Sequence, residues 1–392
     1  MRLRSTILAM LMLSGISMPS LAQECGGDFE QWRQGVSDEA TAADIGAAGH
    51  AALAAATLDG KVLARDRSQG VFSQTFIEFS GRMISAYRLK QGAANMAKYA
   101  EVFARADREY GVQAPVIAAF WALETDFGAV QGDFNTLNAL VTLAHDCRRS
   151  ELFRSQLVPL LKLIDRGVVP ADVKGAWAGE IGQTQTLPSD YLQNGVDGDG
   201  DGIVDLRGSA PDVIMTTAKK IQARGWQRDQ PWIQEVRVPD VLPWDQTGRT
   251  NKLALAQWAG WGVTNPDGTP LADNGLNAGL SLPMGRKGPA FLTYANFDVY
   301  LEWNQSFTYA LTAANLAARL AGAKQFDPRN PEPGPSGDRM KELQQKLIDR
   351  GYDVGGVDGI LGTNTREAIR QEQMRLNLPV DGWPTAEFVE KL

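Results

Sequence analysis

The sequence predicts a predominantly helical α+β fold, and three observations predict it. Apolar residues recur at helical spacing over most of residues 28–113, 136–164, 212–224 and 294–320, while extended patterns are confined to short stretches. A run with four prolines in eleven residues, D-P-R-N-P-E-P-G-P-S-G at 327–337, reads as a stiff linker. Beyond it, residues 338–392 form a small separate segment whose first helix carries Met340, Leu343 and Leu347 on one face.

The 392 residues, 44% hydrophobic and 22% charged, suffice for several domains with a sizeable core. Residues 1–22 read as a secretory signal, with Arg2 and Arg4 ahead of an apolar stretch and Ser20-Leu21-Ala22 as a small-residue cleavage site. The expected product is an exported, soluble periplasmic protein, since no later run is long and apolar enough to span a bilayer. Gln23-Glu24 before Cys25 argues against a lipid anchor. Loss of Arg2 and Arg4 moves the net charge from −7 to −9, and this acidic balance excludes nucleic acid as the expected partner. The two cysteines, Cys25 and Cys147, are expected to pair in an oxidising compartment. In the chain-entropy model a bridge over so long a loop contributes roughly 4–5 kcal/mol.

Within the helical N-terminal third, an Ala-rich stretch at 40–58 and a longer run at 93–110 stopped by Gly111 are the clearest helices. Residues 71–79, with Phe72, Phe76 and Phe79 interleaved with polar residues, read as extended. Next comes P-V-I-A-A-F-W-A-L-E-T-D-F-G at 115–128, where Pro115 suits a first helical turn and Gly128 a stop. Glu124 lies seven residues after Ile117, four after Phe120 and three after Trp121, so it falls on an apolar face. Burial there and the negative end of the helix dipole would both raise its pKa, which is how a glutamic acid stays protonated to act as a general acid. A structural glutamate bonded to a backbone donor or an arginine is the competing explanation.

Helices at 136–144 and 152–164 follow, the second ending at Arg166-Gly167. The block K-G-A-W-A-G-E-I-G-Q-T-Q-T-L-P-S-D-Y at 174–191 is dense in Gly, Gln, Thr and Ser, and points to a loop and helix start facing a polar ligand. Gln183, Gln185 and Tyr191 are its candidate substrate-binding residues, against the alternative of a solvated turn. Residues 197–205, D-G-D-G-D-G-I-V-D, place Asp197, Asp199 and Asp201 at positions one, three and five of a calcium loop, with Gly202 at six and Ile203 at seven. Position twelve is Gly208, so Asp212 or Asp205 would have to supply the missing carboxylate of a structural calcium site. A helix at 212–224 ends at Gly225. The region 231–289 is rich in Trp, Pro and Gly, with short strands expected at 235–238 and near 291–293. Trp226, Trp232, Trp258 and Trp261 could stack on sugars or serve as core. Residues 294–320 resume a helical pattern, with Asn304, Ser306 and Tyr309 as its polar members.

Taken together, A-L-E-T-D-F-G at 122–128, A-G-E-I-G-Q-T-Q-T-L-P-S at 178–189, the acidic loop at 197 and N-Q-S-F-T-Y-A at 304–310 resemble the lytic murein transglycosylases of the membrane-bound lytic transglycosylase B type. The tail G-Y-D-V-G-G-V-D-G-I-L-G-T-N-T-R-E-A-I is similar to a small three-helix peptidoglycan-binding domain. The resemblance implies a lysozyme-like catalytic core over 23–326 and a wall-binding module at 338–392, with peptidoglycan glycan strands as partner and no cofactor for the chemistry. It implies cleavage of the MurNAc-GlcNAc bond without water, to leave 1,6-anhydro ends. Glu124 matches the single catalytic acid/base, Gln185 a saccharide-binding glutamine, and Asn304 and Tyr309 polar residues of the same cleft. Thr186, Ala176 and Trp303 depart from the family pattern, which usually has an aromatic residue, often a Ser, and commonly a Tyr there.

A hydrolytic glycosidase usually needs two carboxylates. The candidates for a second are Glu180 and Asp190, so a muramidase using one of them is the runner-up, followed by an inactive wall-binding protein. Deletion of 338–392 is expected to weaken wall binding and to spare cleavage of soluble fragments.

Overall fold

A computed structural model describes residues 26–68 and 74–392. The expected signal at residues 1–22, Cys25 and residues 71–73 of the expected strand lie outside the described residues. The fold is mainly helical, with two small antiparallel sheets.

The N-terminal third comprises α1 (Phe29–Ala42), α2 (Ala47–Ala55), α3 (Gly60–Arg67), α4 (Phe76–Met83), α5 (Ala86–Lys98) and α6 (Ala100–Tyr110). The strand expected at 71–79 is overturned where it is described. Thr75 and Glu78 form a reciprocal capping box that starts α4, so Phe76 and Phe79 fall on a helix. The long run at 93–110 is broken at Tyr99, which ends α5 and begins α6, while Gly111 ends α6 at φ 72°, a conformation that favours glycine.

Helix α7 (Ala114–Thr125) forms the centre of the molecule. It ends three residues before the expected stop, because Asp126, Phe127 and Gly128 all turn left-handed at φ 51°, 60° and 88°. Val116 through Leu123 are all buried, so the helix has no single apolar face. Glu124 is conspicuous as the acid on a helix that is otherwise apolar all round. Around α7 pack α5, α6, α11 (Ala210–Ala223) and α14 (Phe307–Leu320). A second core joins α1, α2 and α3 to α8 (Thr136–His145), α9 (Ser150–Asp165) and α10 (Pro188–Asn194).

Strands β1 (Phe134–Asn135) and β2 (Lys174–Gly175) pair on either side of α8 and α9. The other sheet runs in the order β3 (Ile233–Val236), β6 (Ala290–Thr293), β5 (Asn277–Ser281), β4 (Gly248–Ala254), antiparallel throughout, and α12 (Leu255–Gly260) packs beside it. Trp258 is fully buried in this core and donates to Ala278 O, while Trp226 and Trp232 donate to Gly111 O and Ala314 O. Trp226 and Trp258 are therefore core residues, Trp232 is half-buried against the same core as Trp226, and Trp261 is half-buried against Trp258. The helical pattern at 294–320 is two helices, α13 (Ala295–Trp303) and α14.

Residues 327–337 hold neither helix nor strand, as their prolines dictate, but they lie along the core and do not project from it. Asp327 N donates to Glu235 Oε1, Asn330 N to Lys287 O, and Trp383 Nε1 to Glu332 O. The tail folds as α15 (Asp338–Asp349), α16 (Thr363–Arg375) and α17 (Ala386–Lys391) around its own small core. It is docked on the larger unit. Arg366 donates to Pro283 O and lies over the rings of Phe307 and Trp383, and Arg370 reaches Thr247 Oγ1 and Asp245 O.

Candidate active site

The C-terminal end of α7 delivers Glu124 to a junction with α13 and α14. Asn304-Gln305-Ser306 breaks these two helices apart: Asn304 Oδ1 accepts from Ser306 N, and the Ser306 hydroxyl caps α14 by accepting from Tyr309 N. The break aims two side chains at one acid. Trp303 Nε1 donates to Glu124 Oε1 at 2.9 Å, and the Tyr309 hydroxyl donates to the same oxygen at 2.5 Å. The Trp303 ring also stacks on Phe120 of α7 at 4.3 Å between centroids, which fixes the indole.

With both donors on Oε1, Oε2 is the oxygen placed to carry an acidic proton. Burial raises the Glu124 pKa, against the Tyr309 and Trp303 bonds and the Lys220 charge, which lower it. Tyr309 is pushed well above its ordinary value by burial and by the Glu124 charge beside it, so it remains a donor.

The turn after α7 is held from both sides. Arg88 Nε binds Asp126 Oδ1 at 2.7 Å, and the Thr125 hydroxyl donates to Gln183 O. The Gln183 side chain is fully engaged in the same brace. Its Oε1 accepts from Trp121 Nε1 at 2.9 Å and its Nε2 donates to Arg207 O at 2.9 Å. A Cβ on Gly128 would lie 2.5 Å from Gln183 Oε1, so glycine is required there for space as well as for φ. Gln183 is thus a buried structural residue, contrary to its expected contact with sugar.

Gln185 is half-buried at φ 45°, with Nε2 on Gly182 O and Gln131 O, and its Oε1 carries no bond among the described residues. Tyr191 is buried on α10. Its hydroxyl donates to Val204 O and accepts from Leu206 N, so it braces the acidic loop.

The two candidates for a second carboxylate separate. Asp190 is engaged by an ion pair with Arg224 at 2.6 Å and a bond from Asn194 Nδ2. Glu180 has a buried, unpartnered Oε2, and burial followed by the Glu124 charge raises its pKa. The shift favours its protonated form, whereas a base or nucleophile must be ionised.

In the acidic loop, one carboxylate oxygen each of Asp197, Asp199 and Asp201 lies within 4.8 Å of the others. Hard oxygen donors so placed suit calcium. Asp212 does not join them: its Oδ1 accepts from Gly198 N and its Oδ2 from Asp205 N, so it ties the loop to α11. Asp205 Oδ1 is likewise taken by the amides of Arg207 and Gly208.

Sequence reasoning missed Lys220. It is buried on α11, with Nζ 3.0 Å from Thr186 Oγ1 and 4.2 Å from the centre of the Trp303 ring. The sequence does carry a signal for it, because Val213, Thr216 and Thr217 precede it by seven, four and three residues on one buried stripe.

Comparison with known proteins agrees with this geometry. A family model described as a transglycosylase SLT domain matches residues 28–318, and one for a peptidoglycan binding domain matches residues 336–392. The membrane-bound lytic murein transglycosylase B of Escherichia coli is 29% identical over 252 residues, 64% of this chain and 68% of that protein. The crystal structure of SltB3 from Pseudomonas aeruginosa in complex with NAG-NAM-pentapeptide is 38% identical, with a TM-score of 0.86, over 93% of this chain and 100% of that one. SltB3 was also solved with NAG-anhNAM-pentapeptide, with the same identity and TM-score. Escherichia coli Slt35 in complex with calcium is 25% identical, with a TM-score of 0.62, over 76% of this chain and 93% of that one.

Proposed function

The chain belongs to the family of lytic murein transglycosylases that share the SLT domain, and on that premise we propose that Glu124 is its lone acid/base, cleaving the MurNAc-GlcNAc bond of peptidoglycan to leave 1,6-anhydro-MurNAc ends. One observation carries the assignment. Burial favours the acidic form of the Glu124 carboxyl, and both Trp303 and Tyr309 donate to the one oxygen where charge develops when its proton leaves.

In the first half of the reaction Glu124 gives its proton to the glycosidic oxygen, and the C1–O bond breaks as positive charge grows at the muramic C1. In the second, the Glu124 carboxylate takes the proton of the muramic 6-hydroxyl while that oxygen bonds to C1. One bond is broken and one formed, the proton returns to Glu124, and no water is consumed. A single acid suffices because the nucleophile is already part of the substrate. The raised pKa of Glu180 and the pairing of Asp190 with Arg224 make both poor bases for water, which weighs against a muramidase. Thr186 lies buried behind Trp303 as a partner of Lys220, so its departure from the family pattern does not disarm Glu124.

Digestion of purified sacculi with analysis of the released muropeptides by mass spectrometry tests this reading. Anhydro ends, lighter by one water, are expected; reducing ends would establish hydrolysis.

The chemistry needs no cofactor on this reading. Calcium on Asp197, Asp199, Asp201 and the Ile203 carbonyl would be structural and weak, without a bidentate twelfth ligand. A chelator should lower the melting temperature, and an unmoved melt would count against the site. No described helix is long and apolar enough to cross a membrane. With the signal-like residues 1–22, the reading is export to the periplasm with a Cys25–Cys147 bridge, checked by N-terminal sequencing of the mature protein and by a thiol titration that finds no free cysteine.

A further inference from the structure

Two of the departures from the family pattern, Thr186 and Trp303, are not independent of each other. Both touch Lys220. Its Nζ bonds the Thr186 hydroxyl at 3.0 Å and sits 4.2 Å above the Trp303 ring, whose N–H in turn holds Glu124 Oε1 at 2.9 Å. An ammonium against the face of an indole is attracted by the ring's negative quadrupole and makes the N–H at the ring edge a better donor. The same cation also acts on Glu124 through space.

We propose that Lys220 is a positioning residue of the active site, which locks Trp303 in place and, as a buried cation behind it, strengthens Glu124 as an acid by stabilising the carboxylate left after proton transfer. The inference rests on the assignment of Glu124 as the acid/base.

The groups facing Lys220 leave its role distinct. On α11 itself Arg224, paired with Asp190 of α10, opposes its charge, while Asp190 supports it; Glu124 of α7 and Glu180 of the 174–191 loop favour the cation when they are ionised. Arg224 lies over the Trp303 ring too, but at 5.7 Å, and it is already engaged by Asp190. Burial outweighs the favourable charges and brings Lys220 down to about 8, which still leaves it cationic at neutral pH.

Glu124 must be protonated to act, so the rate falls as pH rises through its pKa. A cation behind it lowers that pKa, and removing the cation must move the falling limb upward.

The test is the pH profile of kcat for the full-length protein on soluble glycan strands, in the wild type, Lys220→Met and Lys220→Arg. For Lys220→Met the falling limb should move up by about one pH unit, with kcat on the plateau roughly threefold and at most about tenfold lower because a weaker acid transfers its proton more slowly. KM should hardly change, and Lys220→Arg should restore the limb. Lost packing alone would lower the melting temperature and leave the limb in place. Should neither Lys220 variant fold, Thr186→Val removes the hydroxyl partner at nearly unchanged volume. The less well held ammonium then gives up its proton sooner, and a smaller upward movement is expected. An unmoved limb in the folded variants overturns the proposal. Absence of anhydro products from the wild type would instead overturn the reading of the reaction on which it rests.

Discussion

The Tyr309 hydroxyl meets Glu124 Oε1 at 2.5 Å from the first turn of a helix that Ser306 caps. This hydrogen bond is worth more to the carboxylate than to the acid, so it strengthens as the proton leaves Glu124. Tyr309→Phe is therefore expected to lower kcat on the order of 100-fold, as loss of one preorganised donor does, with KM nearly unchanged. It should also move the falling limb of the pH profile upward, because the bond it removes lowers the Glu124 pKa. A larger effect on KM than on kcat would make Tyr309 a substrate ligand only.

Gln183 should behave as a structural residue. Gln183→Ala leaves the buried Trp121 indole N–H without its partner and Arg207 O with only the Gln131 amide, at a cost of about 1–3 kcal/mol. Thermal or denaturant unfolding should show that loss, while KM for glycan strands stays within about twofold once the protein is folded. A KM that rises steeply without destabilisation would return Gln183 to the substrate site.

The C-terminal module is more than a tether. Deleting residues 338–392 would strip Arg366 from Phe307, which stands two residues before Tyr309 on the first turn of α14, and would remove the buried Trp383 from the core around α7. Weaker sacculus pull-down is expected, together with a lower melting temperature and slower cleavage of soluble strands. Unchanged cleavage by the truncated protein would show that the docked interface is dispensable and the tether picture correct.

How much of this is legible in the sequence depends on how local the cause is. Pro115, Gly111 and the oddness of Glu124 on an apolar run are local signals, and they place α6, α7 and the acid. The stop at Thr125 escapes them because Asp126 and Phe127 adopt left-handed conformations that non-glycine residues rarely take; Arg88, from another helix, holds Asp126 there. Gln183 and Tyr191 look like ligands because polar residues in a Gly-rich loop usually face solvent, and only tertiary packing turns them inward. Trp303 stands out as a departure from the family pattern, yet its use cannot be read from its neighbours: its partners, Phe120, Lys220 and Glu124, come from two other helices. The break at 304–306 has a local signal in Ser306, a good N-cap residue, but the apolar spacing on either side of it reads as one continuous helix.

The most direct measurement is the Glu124→Gln variant, which keeps the side chain's shape and an oxygen for Trp303 and Tyr309 but has no acidic proton. The account predicts a folded protein that still sediments with sacculi and whose release of anhydromuropeptides falls at least roughly 100-fold, the scale of general acid–base catalysis. Release at near the wild-type rate by that variant would contradict it.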